Sequence, residues 1–184
     1  MLQTRILKPS AALSGAAAVL LAGCVSASRY NHMLQEREAL EASLRAEISA
    51  DQVKIDELED GIRVRMSDEL LYVPGSVELH AKGRAALGKV AGQLTSMAAQ
   101  GYEIDVVGNT DDVPVGPKLA ERYPTNWDLA GARAALVVRY LQDGGVDPAK
   151  LRGISAGQYH PVAPNDTAAG RARNRRTELL MRPR

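Results

Sequence analysis

Two adjacent carboxylates, Asp111 and Asp112, open a long loop that carries Pro and Gly and runs to Pro124. Converging carboxylates serve as acid and base in hydrolases, but neighbours along a loop usually point apart, so solvated side chains are the simpler interpretation. Ser and His residues occur without the spacing of a nucleophile elbow, and no glycine-rich phosphate loop follows a predicted strand. The sequence therefore predicts no enzyme, no catalytic residues and no cofactor.

Metal and nucleic-acid sites also lack the residues they need. A single Cys excludes an internal disulfide and a multi-cysteine metal site, and His32, His80 and His160 share no ligand spacing. The 23 Lys and Arg residues balance 22 Asp and Glu residues, and aromatic residues make up only 4% of the chain. This composition argues against a nucleic-acid partner held by bulk charge or base stacking.

The N-terminus has the layout of a secretory signal. Arg5 and Lys8 precede an uncharged run rich in Ala and Leu, residues 9–22. As a helix this run is about 21 Å long, which is too short for a hydrocarbon core of about 30 Å. We therefore expect residues 1–23 to be a cleaved signal peptide.

The run ends in Leu21-Ala22-Gly23-Cys24, which resembles a bacterial lipobox. The resemblance implies that Cys24 is acylated, with palmitate among its lipids, and becomes the mature N-terminus. Val25 and Ser26 follow, whereas an Asp just after the Cys is typical of inner-membrane retention. We therefore expect a lipid anchor in the outer membrane, with the rest of the protein facing the periplasm. The alternative is an ordinary signal peptide with an incidental thiol.

Residues 24–60 are predicted to be a lipidated N-terminus and a helical linker. Residues 28–60 contain no Pro or Gly, and Ala, Glu, Leu and Arg are frequent. If fully helical, this linker would be about 50 Å long. Its heptad pattern is broken, so either a weak coiled coil that self-associates or binds a partner, or a single solvated helix, fits the sequence. The apolar heptad positions are Tyr30, Leu34, Leu44, Ile48, Ile55, Leu58 and Ile62, with Arg37, Glu41 and Asp51 interrupting.

Residues 61–184 are predicted to form one α+β domain, an α/β sandwich with helices packed on a small mixed sheet. Apolar residues at helical spacing predict helices over 81–99 and 125–143, the second opened by a capping box from Thr125 to Asp128. Alternating or apolar runs predict four strands, which gives the order βαβαββ. The predicted strands cover residues 62–66, 102–107, 151–156 and 177–181.

Three spaced motifs in this domain resemble the signature of the OmpA-like peptidoglycan-binding domain, which reads G-H-T-D, N-x-x-L-S-x-x-R-A and G-R-x-x-N-R-R-V-E. The loop at Asp112-Val113-Pro114 and the helix entry at residues 123–127 place the resemblance in the MotB-like branch. Asn109 replaces the usual His and Ala130 the usual Ser. The motifs here are Gly108-Asn109-Thr110-Asp111, Asn126-Trp127-Asp128-Leu129-Ala130-Gly131-Ala132-Arg133-Ala134 and Gly170-Arg171-Ala172-Arg173-Asn174-Arg175-Arg176-Thr177-Glu178.

The resemblance implies a ligand, the free amino-acid end of meso-diaminopimelate in a peptidoglycan stem. This group is a zwitterion, and the resemblance assigns its ammonium to Asp111 and its carboxylate to the guanidinium fork of Arg133. It adds Thr110 and Asn126 as neutral hydrogen-bonding residues. The three residues Asn174, Arg175 and Arg176 either line the same cleft or pair with acidic side chains for structural reasons.

From these features we expect an outer-membrane lipoprotein that tethers the envelope to the cell wall without a covalent bond. The alternative is a wall-anchoring subunit of a larger flagellar, secretion or signalling assembly, with the linker as its partner-binding segment.

Overall fold

The computed structural model describes the backbone of residues 14–184 and the side chains of residues 27–184. Residues 1–13 of the predicted signal peptide and the side chain of Cys24 lie outside this part. In the part of the chain so described, no helix is both long enough and apolar enough to cross a membrane. The chain divides into two compact units, one ending at Gln35 and one from Glu36 to Arg184.

Seven helices and five strands occur between residues 14 and 184. The helices are α1 (Ser14–Ser43), α2 (Arg45–Ser49), α3 (Asp68–Leu71), α4 (Ala81–Ala99), α5 (Pro117–Ala120), α6 (Asn126–Asp143) and α7 (Ala168–Asn174), with a 3-10 turn at Pro148–Lys150. The strands are β1 (Val53–Leu58), β2 (Gly61–Ser67), β3 (Tyr102–Asn109), β4 (Leu151–Gly157) and β5 (Arg176–Pro183).

The strands form one mixed sheet in the order β1-β2-β5-β3-β4. Strands β3 and β4 are parallel, and every other neighbouring pair is antiparallel. Helix α6 connects β3 to β4 and packs on both, while α4 packs on β3 and α6. The predicted α+β class, with helices on a small mixed sheet, is confirmed.

Helices α4 and α6 follow the local signals in the sequence. The predicted apolar stripe of α4 is buried, and His80 caps the helix by accepting a hydrogen bond from the Lys82 amide at Nδ1. Helix α6 opens with the predicted capping box, in which Thr125 and Asp128 satisfy each other's free amides. Its inward side chains, including Ala130, Ala134, Val137 and Leu141, are fully buried. These two helices fix the ends of β3 and β4.

The predicted linker differs from the structure in its second half. Residues 53–58 are not helical but form strand β1, which pairs with β2 from Val53 opposite Met66 to Leu58 opposite Gly61. The helix stops before Asp51, whose φ is +56°, a left-handed conformation that interrupts a helix. Val53 and Ile55 are β-branched and favour a strand, and the edge of β2 offers a ladder of backbone hydrogen bonds that outweighs the helical propensity of Lys54, Glu57 and Leu58.

One apolar position of the predicted heptad pattern, Leu44, is buried within the chain's own fold. Like Leu40, it has no exposed surface and belongs to the unit that begins at Glu36. Leu44 is therefore not available to a coiled-coil partner. The folded C-terminal unit starts at Glu36, before the predicted boundary at Gly61. It includes the end of α1, helix α2 and strand β1.

Candidate functional site

The loop after β3 carries Asp111 in a tightly held conformation. The Thr110 amide donates to the Gly157 carbonyl at 2.8 Å, and the Val113 amide donates to Oδ1 of Asp111 at 3.2 Å. The second carboxylate oxygen of Asp111, Oδ2, accepts from Nη1 of Arg175 at 2.8 Å. Only 7% of Asp111 is exposed. Asp111 is therefore a fixed and largely buried anion, unlike its exposed neighbour Asp112.

Thr110 and Asn126 hold this loop in place. The Thr110 hydroxyl donates to the Asp111 carbonyl at 2.8 Å. Asn126, the first residue of α6, donates through Nδ2 to the carbonyls of Asp111 (3.2 Å) and Val113 (3.0 Å) and to Oε1 of Gln158 (2.7 Å). Both residues are buried. Their hydrogen bonds go to the protein's own loop, so they position Asp111.

Arg133 lies in the second turn of α6 with only 9% of its surface exposed. Its Nη1 lies 2.5 Å from Oδ2 of Asp68, and its Nη2 donates to the Ser76 carbonyl at 3.3 Å. The guanidinium also sits over the Tyr72 ring, with 4.8 Å from its carbon to the ring centroid. These contacts from α3 and the segment after it fix the plane of the guanidinium.

Asp111 and Arg133 are each paired with an internal counter-charge and belong to one charge network. Arg133 pairs with Asp68, and the next residue, Glu69, accepts from Nη2 of Arg175 at 2.7 Å. Arg175 uses its other terminal nitrogen for Asp111. Five side chains come together from α3, α6, the loop after β3 and the residue between α7 and β5, and each ion pair among them joins opposite charges. We call them the charge network: Asp68, Glu69, Asp111, Arg133 and Arg175.

Asp68 is the most perturbed group of the charge network. Burial raises its pKa to about 6, against the opposing pull of Arg133. Glu69 and Asp111 raise the Asp68 pKa further and Arg175 lowers it, so these charges lie within electrostatic range of one another. The Asp68 Oδ1 and the Arg133 Nε are buried and have no hydrogen-bond partner among the described residues. Such clustered, perturbed charges are typical of functional sites.

The pKa of Arg175 is also raised, but for a different reason. Burial alone would lower its pKa, but the hydrogen bonds to Glu69 and Asp111 raise it. Arg175 therefore stays a cation and connects the two halves of the charge network.

The neighbours of Arg175 have structural roles. Asn174 has no exposed surface and bonds through both side-chain atoms to the loop at Val162, Ala163 and Asn165. Arg176 pairs with Glu178 at 2.7 Å, and burial lowers the Arg176 pKa. Of the three residues left open by the sequence, the structure assigns Asn174 and Arg176 to structural contacts and Arg175 to the charge network.

Asp68 and Glu69 were not found by sequence reasoning. Their one local signal is an acidic pair in the first turn of a helix after the cap Ser67, and this signal indicates a helix start rather than a site. Asp68 is 65 residues from Arg133 along the chain, so only the fold reveals their contact.

The two departures from the motif lie at the close contact between β3 and α6. A Cβ on Gly108 would stand 2.2 Å from the Ala130 carbonyl oxygen, so Gly108 allows the helix backbone to approach the strand. Ala130 is fully buried there. Asn109 is buried too and donates to the Val107 carbonyl at 3.3 Å. Both residues serve the packing beside the charge network.

The fold and the site define a small mixed α/β domain that presents fixed, opposite charges where a central strand meets a helix. The OmpA family matches residues 71–175, more than half of the chain, and the chain belongs to this family. Within the family it falls in the MotB-like branch.

Two relatives show how much of the chain is shared. Outer membrane protein A of Bordetella avium is 40% identical over 101 residues, which are 55% of this chain and 47% of that protein. The probable lipoprotein YiaD of Escherichia coli K12 is 29% identical over 143 residues, 78% of this chain and 61% of that protein. The chain therefore spans less than two thirds of either relative.

Two solved structures share the architecture. A putative MotB-like protein from Desulfovibrio vulgaris superimposes with a TM-score of 0.73 at 26% identity, covering 84% of this chain and 93% of that one. The cell wall anchor of the T6SS from Pseudomonas aeruginosa gives a TM-score of 0.70 at 28% identity, covering 80% of this chain and 99% of that one.

Proposed function

We propose that the C-terminal unit binds peptidoglycan non-covalently through the free amino-acid end of meso-diaminopimelate. One observation carries this proposal. Asp111 and Arg133, opposite in sign and each more than nine-tenths buried, belong to one charge network at the junction of β3 and α6. The ligand ammonium would bind Asp111, and the ligand carboxylate would bind Arg133.

The charges of the network favour a zwitterion over a simple ion. An isolated anion near Arg133 would also face the carboxylates of Asp68, Glu69 and Asp111. An isolated cation near Asp111 would also face Arg175, whose Nη1 lies 2.8 Å from Oδ2 of Asp111. A ligand with both charges on one carbon can satisfy both sides at once, because each of its charges reaches its partner while the net charge stays zero.

The guanidinium of Arg133 is preorganised for a carboxylate. Its contacts with Asp68, Ser76 and Tyr72 hold the guanidinium in one orientation, so little side-chain entropy is lost on binding. Thr110 and Asn126 support the loop that carries Asp111, and their contacts with the ligand stay a prediction.

We further propose that a lipid on Cys24 anchors the protein in the outer membrane. The lipobox-like sequence at residues 21–24 and the similarity to a probable lipoprotein support this assignment. Two or three acyl chains give stable anchoring, since each buried methylene contributes about 0.8 kcal/mol. The protein would then link the outer membrane to the wall by binding alone, without catalysis.

A second function is favoured by the similarity to the T6SS cell wall anchor, which covers nearly the whole of that chain. In this alternative, wall binding by the charge network is the same, but it holds a larger assembly in place. Crosslinking in the intact envelope distinguishes the two, because a tether yields wall and lipid neighbours whereas an assembly subunit yields a defined protein partner.

Sedimentation with purified sacculi and titration with a diaminopimelate muropeptide test the wall-binding proposal. The fragment 36–184 should bind both ligands. Arg133→Ala and Asp111→Ala should each lose about 2–5 kcal/mol of binding, because truncating one partner leaves a desolvated ligand charge unpaired. Arg133→Lys should also weaken binding, since an ammonium lacks the fork.

Arg139→Ala and Asp112→Ala are matched controls, since they remove the same charges from exposed positions of the same helix and loop. The controls should bind normally. If Asp111→Ala bound better, or if a stem with Lys in place of diaminopimelate bound equally well, attraction of basic surface side chains to an anionic wall would replace the proposed site. Circular dichroism of each variant verifies that it is folded.

A further inference from the structure

Trp127 and Tyr159 form an aromatic pair on the surface beside the charge network. Their ring centroids are 5.1 Å apart and the rings are inclined by 26°, a stacked arrangement. Trp127 is 46% exposed and Tyr159 is 59% exposed. Trp127 is the only Trp in a chain that has no Phe, and it lies outside the core. A stacked aromatic pair that is exposed to solvent is typical of a ligand-binding surface.

Trp127 is held against the end of β4. The Ser155 hydroxyl in β4 donates to the Trp127 carbonyl at 2.7 Å. The indole lies directly on the backbone of Gly157, where an added Cβ would be 3.3 Å from Trp127 Cδ2 and φ is +54°. Gly157 therefore provides both the left-handed turn and the space for the ring. A preorganised indole loses little side-chain entropy at binding.

The aromatic pair is continuous with the proposed ligand site. Asn126 immediately precedes Trp127, and its Nδ2 bonds to the Asp111 carbonyl and to Gln158 Oε1. Gln158 immediately precedes Tyr159. The Gln158 amide nitrogen has no hydrogen-bond partner in the described residues, and this half-buried side chain can donate to a neutral ligand. Aromatic faces flanked by amides match a pyranose ring, which has apolar C–H faces and a polar rim.

We infer that Trp127 and Tyr159 form a platform for a sugar ring of the glycan strand that carries the bound stem. This inference rests on the proposed binding of the stem. In a muropeptide, diaminopimelate is the third stem residue, so an extended stem separates it from the sugar by about 10 Å. The Asn126 Nδ2 contacts the Asp111 carbonyl at 3.2 Å, and the Cα of Trp127 lies about 3.8 Å from the Cα of Asn126. The platform thus lies within the reach of a sugar on the same stem.

Titrations of the full-length protein with two ligands test the platform. One ligand is a diaminopimelate tripeptide without sugar, and the other is the same tripeptide on its disaccharide. Wild type should bind the second about tenfold more tightly, a gain of the order of one aromatic stacking contact. Tyr159→Ala should abolish most of this gain and leave the affinity for the tripeptide unchanged. Tyr30→Ala, which removes another exposed Tyr, is the matched control and should retain the gain.

Trp127 provides an independent readout, since all tryptophan emission comes from this residue. The disaccharide ligand should shield Trp127 from acrylamide quenching more than the tripeptide does. Equal affinity of wild type for both ligands, or unchanged quenching with the disaccharide bound, would refute the platform alone. Failure of wild type to bind the tripeptide would refute the proposed stem site instead. A Trp127 emission shift with vesicles of phosphatidylethanolamine and phosphatidylglycerol, absent with the disaccharide ligand, would assign the aromatic pair to a lipid surface and overturn the inference.

Discussion

Replacing Asp68 with Asn should change how the stability of the C-terminal unit depends on pH. Burial raises the pKa of Asp68 to about 6 in the folded protein, above the unfolded value of about 3.9. The folded state therefore binds the Asp68 proton more tightly, and this stabilisation is complete below the unfolded pKa. It is lost as pH rises through about 6, because the buried carboxylate must then ionise.

The size of this effect follows from the shift. A difference of about two pKa units corresponds to about 3 kcal/mol of unfolding free energy, lost between about pH 4 and pH 7. Asn cannot ionise, so Asp68→Asn should lack this loss. The difference in unfolding free energy, wild type minus variant, should fall by up to that amount across the interval. The pKa of about 6 already includes the opposing pull of the Arg133 ion pair.

Urea unfolding of the fragment 36–184 at several pH values measures a difference profile, which is the wild-type-minus-variant difference in unfolding free energy as a function of pH. Taking wild type minus variant removes the titration of all other groups common to both proteins. Asp112→Asn is the control, since it removes the same charge from an exposed aspartate. A flat difference profile for Asp68→Asn, or an equal slope for the control, would refute the assignment of Asp68 as a buried carboxyl that resists ionisation.

Three further predictions concern the domain boundary, the salt dependence of ligand binding and the lipid anchor. A fragment beginning at Gly61 should be less stable in urea unfolding than the fragment 36–184 by at least about 3–6 kcal/mol, because it loses β1 and the buried side chains of Leu40 and Leu44. Equal urea midpoints would show that residues 36–60 do not contribute to stability. The muropeptide affinity of the wild-type fragment should fall only moderately between low and physiological salt, since a buried site is screened less than a surface patch, and a steep decline measured by calorimetry would indicate surface attraction. Cys24→Ser should abolish labelling by a fatty-acid analogue and release the protein from membrane fractions, whereas continued labelling would place the lipid elsewhere.

The sequence determined the features that depend on neighbouring residues. The periodicity of apolar side chains defines helix α4 over residues 81–99, and the Thr125–Asp128 capping box marks the start of α6. These signals are strong because a helix is built from contacts three and four residues apart. The spaced motifs also identified the family and singled out Asp111 and Arg133, both of which are buried in one network.

Only the tertiary structure decided which charges those residues face. Asp68, the partner of Arg133, is 65 residues away along the chain, and Arg175, the partner of Asp111, is 64 residues away. Neither pairing has a local signal in the sequence. The same reason explains strand β1, where a segment of mixed helical and strand propensity extends along the edge of β2. Local propensities differ by less than about 1 kcal/mol per residue, so a sheet edge or a buried counter-charge supplied from a distant segment determines the outcome.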